Sequence, residues 1–288
     1  MLPVPARPPE PTRSTGLRDA SGDAEPLALY WAFYWAVAEA QLVRWLPRRP
    51  ARLLDVSGDT GRTAGQAAAC GHRVIEVIEA APEEGRADAE PPPGQDGHGG
   101  PDGDGARDGG AFTGARPGGS VRRVVADSGR LDFLADASVD AVVAENRALS
   151  RHLVTEASVA EIARVLRPGG RVLLSVDSLT LGMALLAEQN RWAHLSDVPA
   201  AEVLLVPWPD GSITRCFGID QLRELLTEAG LDVEWIRPRT ALSPSTVEHM
   251  LSRSPGALQG LVRTELAAPP GDDSLGVHLL ASARRPAD

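Results

Sequence analysis

Apolar runs and helical stripes alternate along the chain from residue 27 almost to its end. The first of them, 27–46, has apolar residues at the spacing of one helix face. They are Leu27, Trp31, Trp35, Ala38, Leu42 and Trp45. Glu39, Gln41 and Arg44 interrupt the segment, whereas a membrane-spanning helix needs about 20 residues with few or no charges. We therefore expect an amphipathic helix that lies on the domain.

A strand, a helix and a second strand follow in close succession. "RPARLLDVSG" predicts a short strand that ends at Asp55, "TGRTAGQAAACG" predicts a helix of small residues closed by Gly71, and "HRVIEVIE" predicts the second strand. Such a βαβ unit implies a parallel sheet with a right-handed crossover.

The same alternation resumes after residue 119. Strands are predicted at 120–127, 139–145, 171–177, 231–238 and 275–285, and helices at 155–166, around 179–195, at 219–230 and near 244–266. The Pro-Gly-Gly corner at 167–170 ends a helix, and the nearly continuous apolar run at 171–177 is typical of a strand buried on both faces. We interpret 203–217, "VLLVPWPDGSITRCF", as a link.

Two segments have the composition of disordered chain. The tail at 1–25 is rich in proline and lacks the unbroken apolar core of a signal peptide. The insertion at 83–119 is rich in glycine and proline and has almost no large apolar residue, so burial cannot offset the entropy of ordering it. We predict one domain at 26–286 that contains this flexible insertion.

Composition narrows the range of partners. The formal net charge is -10, every basic residue is arginine, and the one local basic group, "RWLPRRPAR", is too short to form a stripe. This argues against a nucleic-acid partner. Cys70 and Cys216 have no spacing typical of a metal site or a disulfide framework, so we expect no metal and a reduced, cytoplasmic setting.

Taken in order, "LLDVSGDTG", "VVAD", "VDAVVAE", "EIARVLRPGGRVLLSVD" and "IDQLRELLTEAG" followed by "LDVEWIRP" resemble the class I S-adenosylmethionine-dependent methyltransferases of the small-molecule type. The resemblance covers roughly residues 50–240. It implies a doubly wound α/β sheet of seven strands, mostly parallel with the last antiparallel, a bound S-adenosylmethionine and a small-molecule acceptor.

In this family the first strand ends in an acid that opens the pattern Asp-x-Gly-x-Gly-x-Gly, and Asp55 matches that acid. Ser57, Asp59 and Gly61 stand at the three glycine positions, with an additional Gly58. Glycine lets the backbone approach a ligand without a Cβ atom and adopt positive φ cheaply. Asp59 places a negative side chain where the methionine part of the cofactor would pass, although aspartate tolerates the left-handed geometry of such a turn.

Two further acids match positions of the family. Glu79, at the end of the second strand, corresponds to the acid that accepts hydrogen bonds from the ribose hydroxyls, one residue later than usual. Such a shift reverses the side chain's face within a strand, but a loop at the strand end can redirect it. Asp127 corresponds to the acid that meets the adenine amino group. As isolated residues Asp55 and Asp127 would cap a helix or start a turn, whereas their order along successive strands favours a cofactor site.

Methyl transfer from a sulfonium is an in-line displacement, which demands alignment, exclusion of water and sometimes a base. His152 and Glu145, which follow the fourth strand, are the candidate bases, and Asp177 is a further one. A lone histidine is more often a surface or packing residue, and Glu145 could equally line the cofactor pocket.

Aromatic and basic residues outside the motifs could contact an acceptor. Tyr30 and Tyr34 lie one helical turn apart and either line an apolar acceptor pocket or belong to the core. Arg215 either recognises an acidic acceptor or pairs with a neighbouring carboxylate.

Two other functions stay open at this point. A nicotinamide-binding fold would have Gly-x-Gly-x-x-Gly after the first strand, but "VSGDTG" supplies only Gly58 and Gly61. A methyltransferase-like domain with a weakened or lost cofactor site, which serves as a binding or regulatory module, is favoured by Asp59 and by the shifted Glu79.

Overall fold

The computed structural model of the protein describes residues 27–58, 61–79, 118–198, 203–208, 211–268 and 276–287. The predicted tail at 1–25 lies outside the described residues. So do Asp59 and all of the predicted insertion except residues 118 and 119.

The described residues form one α/β unit. Its strands are β1 (Arg52–Asp55), β2 (Arg73–Ile78), β3 (Ser120–Val125), β4 (Val139–Ala144), β5 (Leu166–Ser178), β6 (Leu204–Pro207), β7 (Ile213–Phe217), β8 (Asp232–Pro238) and β9 (His278–Arg284). Its helices are α1 (Ala28–Trp45), α2 (Arg62–Ala69), α3 (Ala148–Arg151), α4 (Thr155–Val165), α5 (Leu179–Glu188), α6 (Trp192–Asp197), α7 (Ile219–Glu228), α8 (Pro244–Arg253) and α9 (Leu258–Ala267).

The sheet is doubly wound, as predicted. Its parallel part has the strand order β3-β2-β1-β4-β5. The last strand, β9, pairs antiparallel with β5 over most of the length of both, and β8 pairs antiparallel with β9. The apolar run of β5 is fully covered, because helices pack on both faces of the sheet.

The interpretation of 203–217 as a link is wrong. This segment forms an antiparallel hairpin of β6 and β7, and β7 also pairs with Asp177 and Ser178 at the carboxyl end of β5. The sheet of the described residues therefore has nine strands rather than seven. The helix predicted near 244–266 is likewise two helices, α8 and α9, because the Pro-Gly pair at 255–256 interrupts the helical pattern.

Helix α1 runs along one face of the sheet, from its carboxyl edge to its amino edge. The ring of Tyr34 lies 5.4 Å from the ring of His278, the register partner of Asp177 at the carboxyl end of β5. Trp45 Nε1 donates to Ser282 Oγ at 2.9 Å, four residues further along β9. The predicted stripe is only partly correct, because Trp35 is half-buried whereas Tyr30, Phe33, Tyr34 and Val37 are buried.

None of the described helices has the length and the apolar character that crossing a lipid bilayer requires. The buried side chains of α1 up to Val37 pack against α8 and α9, and Leu42 and Trp45 pack on the sheet. Tyr30 and Tyr34 therefore both belong to the core, the second of their two interpretations. The hydroxyl of Tyr30 also forms a 3.0 Å hydrogen bond with Thr240 Oγ1.

Candidate active site at the carboxyl edge of the sheet

The turn after β1 is tied to the end of β4. Asp55 Oδ1 accepts a hydrogen bond from the N–H of Ser57 at 2.9 Å, and Ser57 Oγ accepts one from the N–H of Glu145 at 3.0 Å. Both Asp55 and Ser57 are buried. Ser57, which stands at a predicted glycine position, therefore stabilises the turn, since it links the end of β1 to the end of β4.

Gly58 and Gly61, on either side of residues 59–60, have left-handed backbone. Gly58 has φ +62° and Gly61 has φ +95°, the left-handed region in which a side chain is costly. A Cβ atom on Gly58 would lie 3.0 Å from Nη2 of Arg151, and one on Gly61 would lie 3.0 Å from Nη2 of Arg123. Arg151 Nη2 also donates to the carbonyl of Ser57 at 3.1 Å. Charged groups therefore approach the main chain of this turn closely.

The side chains of Glu79, Ser128 and His152 meet at the ends of β2 and β3. Ser128 Oγ donates to Glu79 Oε1 at 2.5 Å and lies 2.7 Å from His152 Nε2. His152 Nε2 is 3.6 Å from Glu79 Oε1. The side chain of Glu79 is 57% exposed, so its carboxylate remains accessible to a ligand. Although Glu79 comes one residue late in the sequence, the structure places it at this edge.

Asp127 lies at the same edge, just after β3. It is exposed, and its Oδ1 accepts a hydrogen bond from the N–H of Gly129 at 2.7 Å. Glu76 of β2 is a buried acid that does not match any acid of the family pattern. It faces Gly61 and pairs with Arg123 Nε at 2.9 Å. Carboxylates thus stand at the carboxyl ends of three neighbouring strands.

A buried ion pair joins the end of β4 to the residue that follows β8. Arg239 Nη2 donates to Glu145 Oε2, and both side chains are almost completely buried. Gln41 of α1 completes the group, since its Oε1 accepts from Arg239 Nη1 at 3.0 Å and its Nε2 donates to the Arg239 carbonyl at 3.1 Å. Because Glu145 is held in this pair, its carboxylate is not free to accept a proton.

A second buried ion pair joins the same turn to β5. Arg147 donates from Nε and Nη2 to the two carboxylate oxygens of Asp177, at 2.5 and 2.7 Å. Thr214 Oγ1 of β7 also donates to Asp177 Oδ2, at 2.5 Å. The guanidinium of Arg147 lies 4.6 Å from the ring centre of Trp208, at the end of the hairpin. Asp177 therefore fixes the turn and the hairpin to each other.

The backbone between the two ion pairs is strained. Asn146 and Arg147 have φ values of +53° and +61°, which cost roughly 1–3 kcal/mol each for residues other than glycine. Glu145 and Arg147, on either side of Asn146, are held by Arg239 and Asp177. The ion pairs therefore maintain a strained turn at the carboxyl edge of β4, where reacting groups commonly lie in open α/β sheets.

His278 lies behind this turn and is buried. Burial lowers the pKa of its imidazole to about 3, against the opposing effect of Asp177, whose Oδ1 is 3.5 Å from His278 Nε2. Arg147 and Arg239 lower the pKa further. His278 is therefore neutral at pH 7.

The remaining predicted residues have plainly structural surroundings. Arg215 pairs with Glu156 at 2.7 Å, as one of its two interpretations predicted. Cys70 and Cys216 are free thiols, and burial raises the pKa of the Cys216 thiol well above its ordinary value. Across the described part of the chain, no group of three or more His, Cys, Asp and Glu side chains is placed to hold a metal ion.

Of the predicted cofactor residues, the structure brings Asp55, Ser57, Gly58, Gly61, Glu79 and Asp127 to one edge of the sheet. Sequence reasoning missed Ser128, Arg151, Arg239 and His278. Ser128 follows the predicted Asp127 and Arg151 precedes the predicted His152, so their positions beside predicted site residues could have indicated them. No pattern in the sequence marked Arg239 or His278.

Comparison with known proteins agrees with this geometry. The model of a family described as "Methyltransferase domain" matches residues 110–174, and no curated protein matches the chain. An S-adenosylmethionine-dependent methyltransferase of Methanosarcina mazei is 17% identical with a TM-score of 0.53, covering 86% of this chain and 98% of that chain. A candidate S-adenosylmethionine-dependent methyltransferase of Listeria monocytogenes is 13% identical with a TM-score of 0.51, covering 88% and 98%. The chain thus has the fold of the class I methyltransferases.

Proposed function

Because the chain has the class I methyltransferase fold, we propose that it binds S-adenosylmethionine at the carboxyl edge of its sheet and methylates a small-molecule acceptor. One observation carries the proposal: the Asp55–Gly58 turn, Glu79 and Asp127 stand at the ends of three neighbouring parallel strands. The match of residues 110–174 to a methyltransferase family model supports the same activity.

The residues of this edge suit the cofactor. Glu79 would accept hydrogen bonds from the ribose hydroxyls. In this structure the hydroxyl of Ser128 donates to the same carboxylate. Asp127 would accept from the adenine amino group, and the main chain at Ser57 and Gly58 would pass the methionine part. When bound, S-adenosylmethionine supplies an electrophilic methyl group on a positively charged sulfonium, which an edge carrying several carboxylates favours.

The acceptor would enter between the first half of α1 and the β6–β7 hairpin. These elements flank the strained turn at Asn146, since Tyr34 of α1 lies beside His278 and Trp208 of the hairpin lies beside Arg147. Both rings are buried, so they support the turn rather than line an open pocket. Alignment and exclusion of water are the main demands of the displacement, and rigid walls of this kind meet both.

His152 is the better of the two candidate bases. Glu145 could accept a proton only by leaving the buried Arg239 unpaired, which is costly. The imidazole of His152 is partly exposed, and its Nε2 already lies within hydrogen-bonding distance of Ser128 Oγ. Since Ser128 Oγ gives its one proton to Glu79, His152 Nε2 is the donor in its contact with Ser128. We propose that a proton of the acceptor moves to the other ring nitrogen, Nδ1 of His152, as the methyl group is transferred.

Charge and cysteine chemistry support the proposed acceptor class and cellular setting. The net charge of -10 argues for a small molecule rather than nucleic acid as acceptor, and the two free thiols suit the reducing cytoplasm.

A non-catalytic binding domain is the second candidate function, and a specific observation favours it. Arg151 and Ser128 already contact the two groups, the Ser57 carbonyl and the Glu79 carboxylate, that would face a cofactor. A domain that keeps these internal contacts would bind the cofactor weakly and regulate a partner instead.

Transfer of label from methyl-tritiated S-adenosylmethionine tests the activity. We expect radioactive product with at least one compound in a panel of small phenols, amines and carboxylates, and a loss of at least about tenfold in rate for His152→Asn. The exposed His249→Asn should retain the wild-type rate. If the protein binds the cofactor product but labels no compound of a broad panel, the binding-domain function replaces the enzymatic one.

A further inference from the structure

The amino edge of the sheet, opposite the proposed cofactor site, contains an open cavity of about 700 Å³. It lies at the beginning of β1, β2 and β3. Its polar lining includes Arg52, Arg73, Arg122, Asp140 and Arg167. Arg52 precedes Asp55 by three residues of strand, so the cavity and the cofactor turn are about 10 Å apart along β1.

This cavity exists because no described helix covers the beginning of β2 and β3 on this face. The connection from β3 to β4, residues 126–138, consists of turns and extended chain without a helix. In a right-handed crossover this connection runs over the face of the sheet that carries the cavity. Arg73 and Arg122 are consequently exposed, and Ile75 is only half-buried.

Three arginines converge on the cavity from three neighbouring strands. Arg52 and Arg73 are register partners in β1 and β2, and Arg122 of β3 is the partner of Ile75, two residues beyond Arg73. Residues in register, or two apart, share one face of a sheet. The side chains of Arg52, Arg73 and Arg122 therefore stand side by side on one face.

The positive charge of these arginines is not neutralised by their described surroundings. No acidic side chain among the described residues forms an ion pair with Arg52, Arg73 or Arg122. The one carboxylate of the cavity, Asp140, is already held by Arg167 Nη1 at 2.7 Å and by the N–H of Arg52 at 2.8 Å.

Adjacent like charges on a sheet lower its stability, and here they occur in a chain with a net charge of -10. Such an arrangement is expected where a bound anion offsets the repulsion. We propose that the cavity is a second binding site, for a small molecule that carries a diphosphate group. This site is independent of the proposed methyl transfer.

The chemistry of the three side chains selects this class of ligand. A guanidinium is a planar fork that binds phosphate oxygens in pairs, and three of them match the two or three negative charges of a diphosphate. The cavity volume is within the range of about 300–1,000 Å³ that is usual for small-molecule sites. Pro50, Ala51 and Ile75 form an apolar part of the lining, on which the body of such a molecule would lie.

Calorimetric titration of the full chain with inorganic pyrophosphate tests the proposal. We expect saturable binding by the wild type, and for Arg73→Gln a dissociation constant at least about tenfold larger, because a charge-assisted pair of hydrogen bonds is lost. Arg263→Gln removes the same charge from the exposed face of α9 and should leave the constant within about twofold. The Arg73 side chain is exposed, so the variant should fold, and its thermal midpoint confirms this.

Further arms of the titration identify the source of the ligand. ADP that binds more tightly than pyrophosphate supports a nucleoside diphosphate, whereas weaker binding of ADP supports a diphosphate with another body. Three results would overturn the proposal: no binding of pyrophosphate up to about 1 mM, equal weakening by Arg73→Gln and Arg263→Gln, or tighter binding of a single-stranded oligonucleotide than of pyrophosphate. Binding of S-adenosylhomocysteine, measured on the same samples, should be the same in both variants, so failure of this site and failure of the proposed function are distinguishable.

Discussion

Replacement of Arg239 by leucine is expected to lower the free energy of unfolding by about 3–5 kcal/mol. The guanidinium is buried, and it is the ion-pair partner of the equally buried Glu145. Its removal leaves a carboxylate in the interior without a counter-charge and takes a hydrogen-bond donor from Gln41. Chemical denaturation monitored by circular dichroism gives the change directly.

A double variant separates the cost of the unpaired charge from the value of the pair. In Arg239→Leu with Glu145→Leu no charge is left unpaired, and most of the lost stability should return. Arg263→Leu, on the exposed face of α9, should change the free energy of unfolding by less than about 0.5 kcal/mol. A double variant as unstable as Arg239→Leu would show that packing, and not the ion pair, makes Arg239 important.

The second large effect is a dependence of stability on pH that comes from His278. Its pKa is about 3 in the folded protein, below the ordinary value of 6.5, because the imidazole is buried. Protons therefore bind more readily to the unfolded chain at acid pH. The contribution of His278 to stability is complete above pH 6.5 and is lost as the pH falls towards 3, by about 1.4 kcal/mol per pH unit.

Comparison with His278→Gln isolates this contribution. From pH 6.5 to pH 4.5 the wild type should lose about 2–3 kcal/mol more than His278→Gln, since other acids titrate equally in both proteins. His249→Gln, at an exposed position of α8, should lose as much as the wild type. Equal losses in the wild type and His278→Gln would mean that the imidazole titrates normally, and that the region behind the strained turn is open to water.

The two ion pairs relate stability to the proposed function. They hold Asn146 and Arg147 in a left-handed conformation at the point where β4 meets the carboxyl edge. Strained backbone of this kind persists only when its surroundings over-determine it. The chain therefore uses four buried charges to shape the edge, and the residues available for chemistry are the partly exposed ones, Glu79 and His152.

The parallel part of the fold could be predicted from the sequence because its strands are apolar runs bounded by clear turn signals. The apolar run at 171–177 is an example, and the structure confirms it as part of β5. The Pro-Gly-Gly segment was expected as a corner before this strand, but it lies inside β5, at an irregularity where the register against β4 shifts. The β6–β7 hairpin was missed because its strands are only 4 and 5 residues long, although "PWPDGS" between them contains strong turn signals.

The candidate site likewise contains some residues that could be predicted from the sequence and others that could not. Asp55, Glu79 and Asp127 could be predicted because each follows a strand, and parallel strands bring their carboxyl ends to one edge. Arg239 and His278 could not, since each is one polar residue beside or within a strand. The register of β9 against β5 brings His278 to Asp177, and Arg239, just after β8, meets Glu145 and Gln41 of α1 only in the folded chain. The arginines of the amino edge escaped notice for a related reason, because they are far apart in sequence and meet only through strand register.

Titration of the full chain with S-adenosylhomocysteine tests the central claim most directly, because it measures occupation of the carboxyl edge without an acceptor. We predict micromolar binding by the wild type and at least about tenfold weaker binding by Glu79→Ala, which loses charge-assisted hydrogen bonds to the ribose. Glu228→Ala, at an exposed position of α7, should bind as the wild type does. No binding by the wild type, or equal dissociation constants for the wild type and Glu79→Ala, would contradict the account.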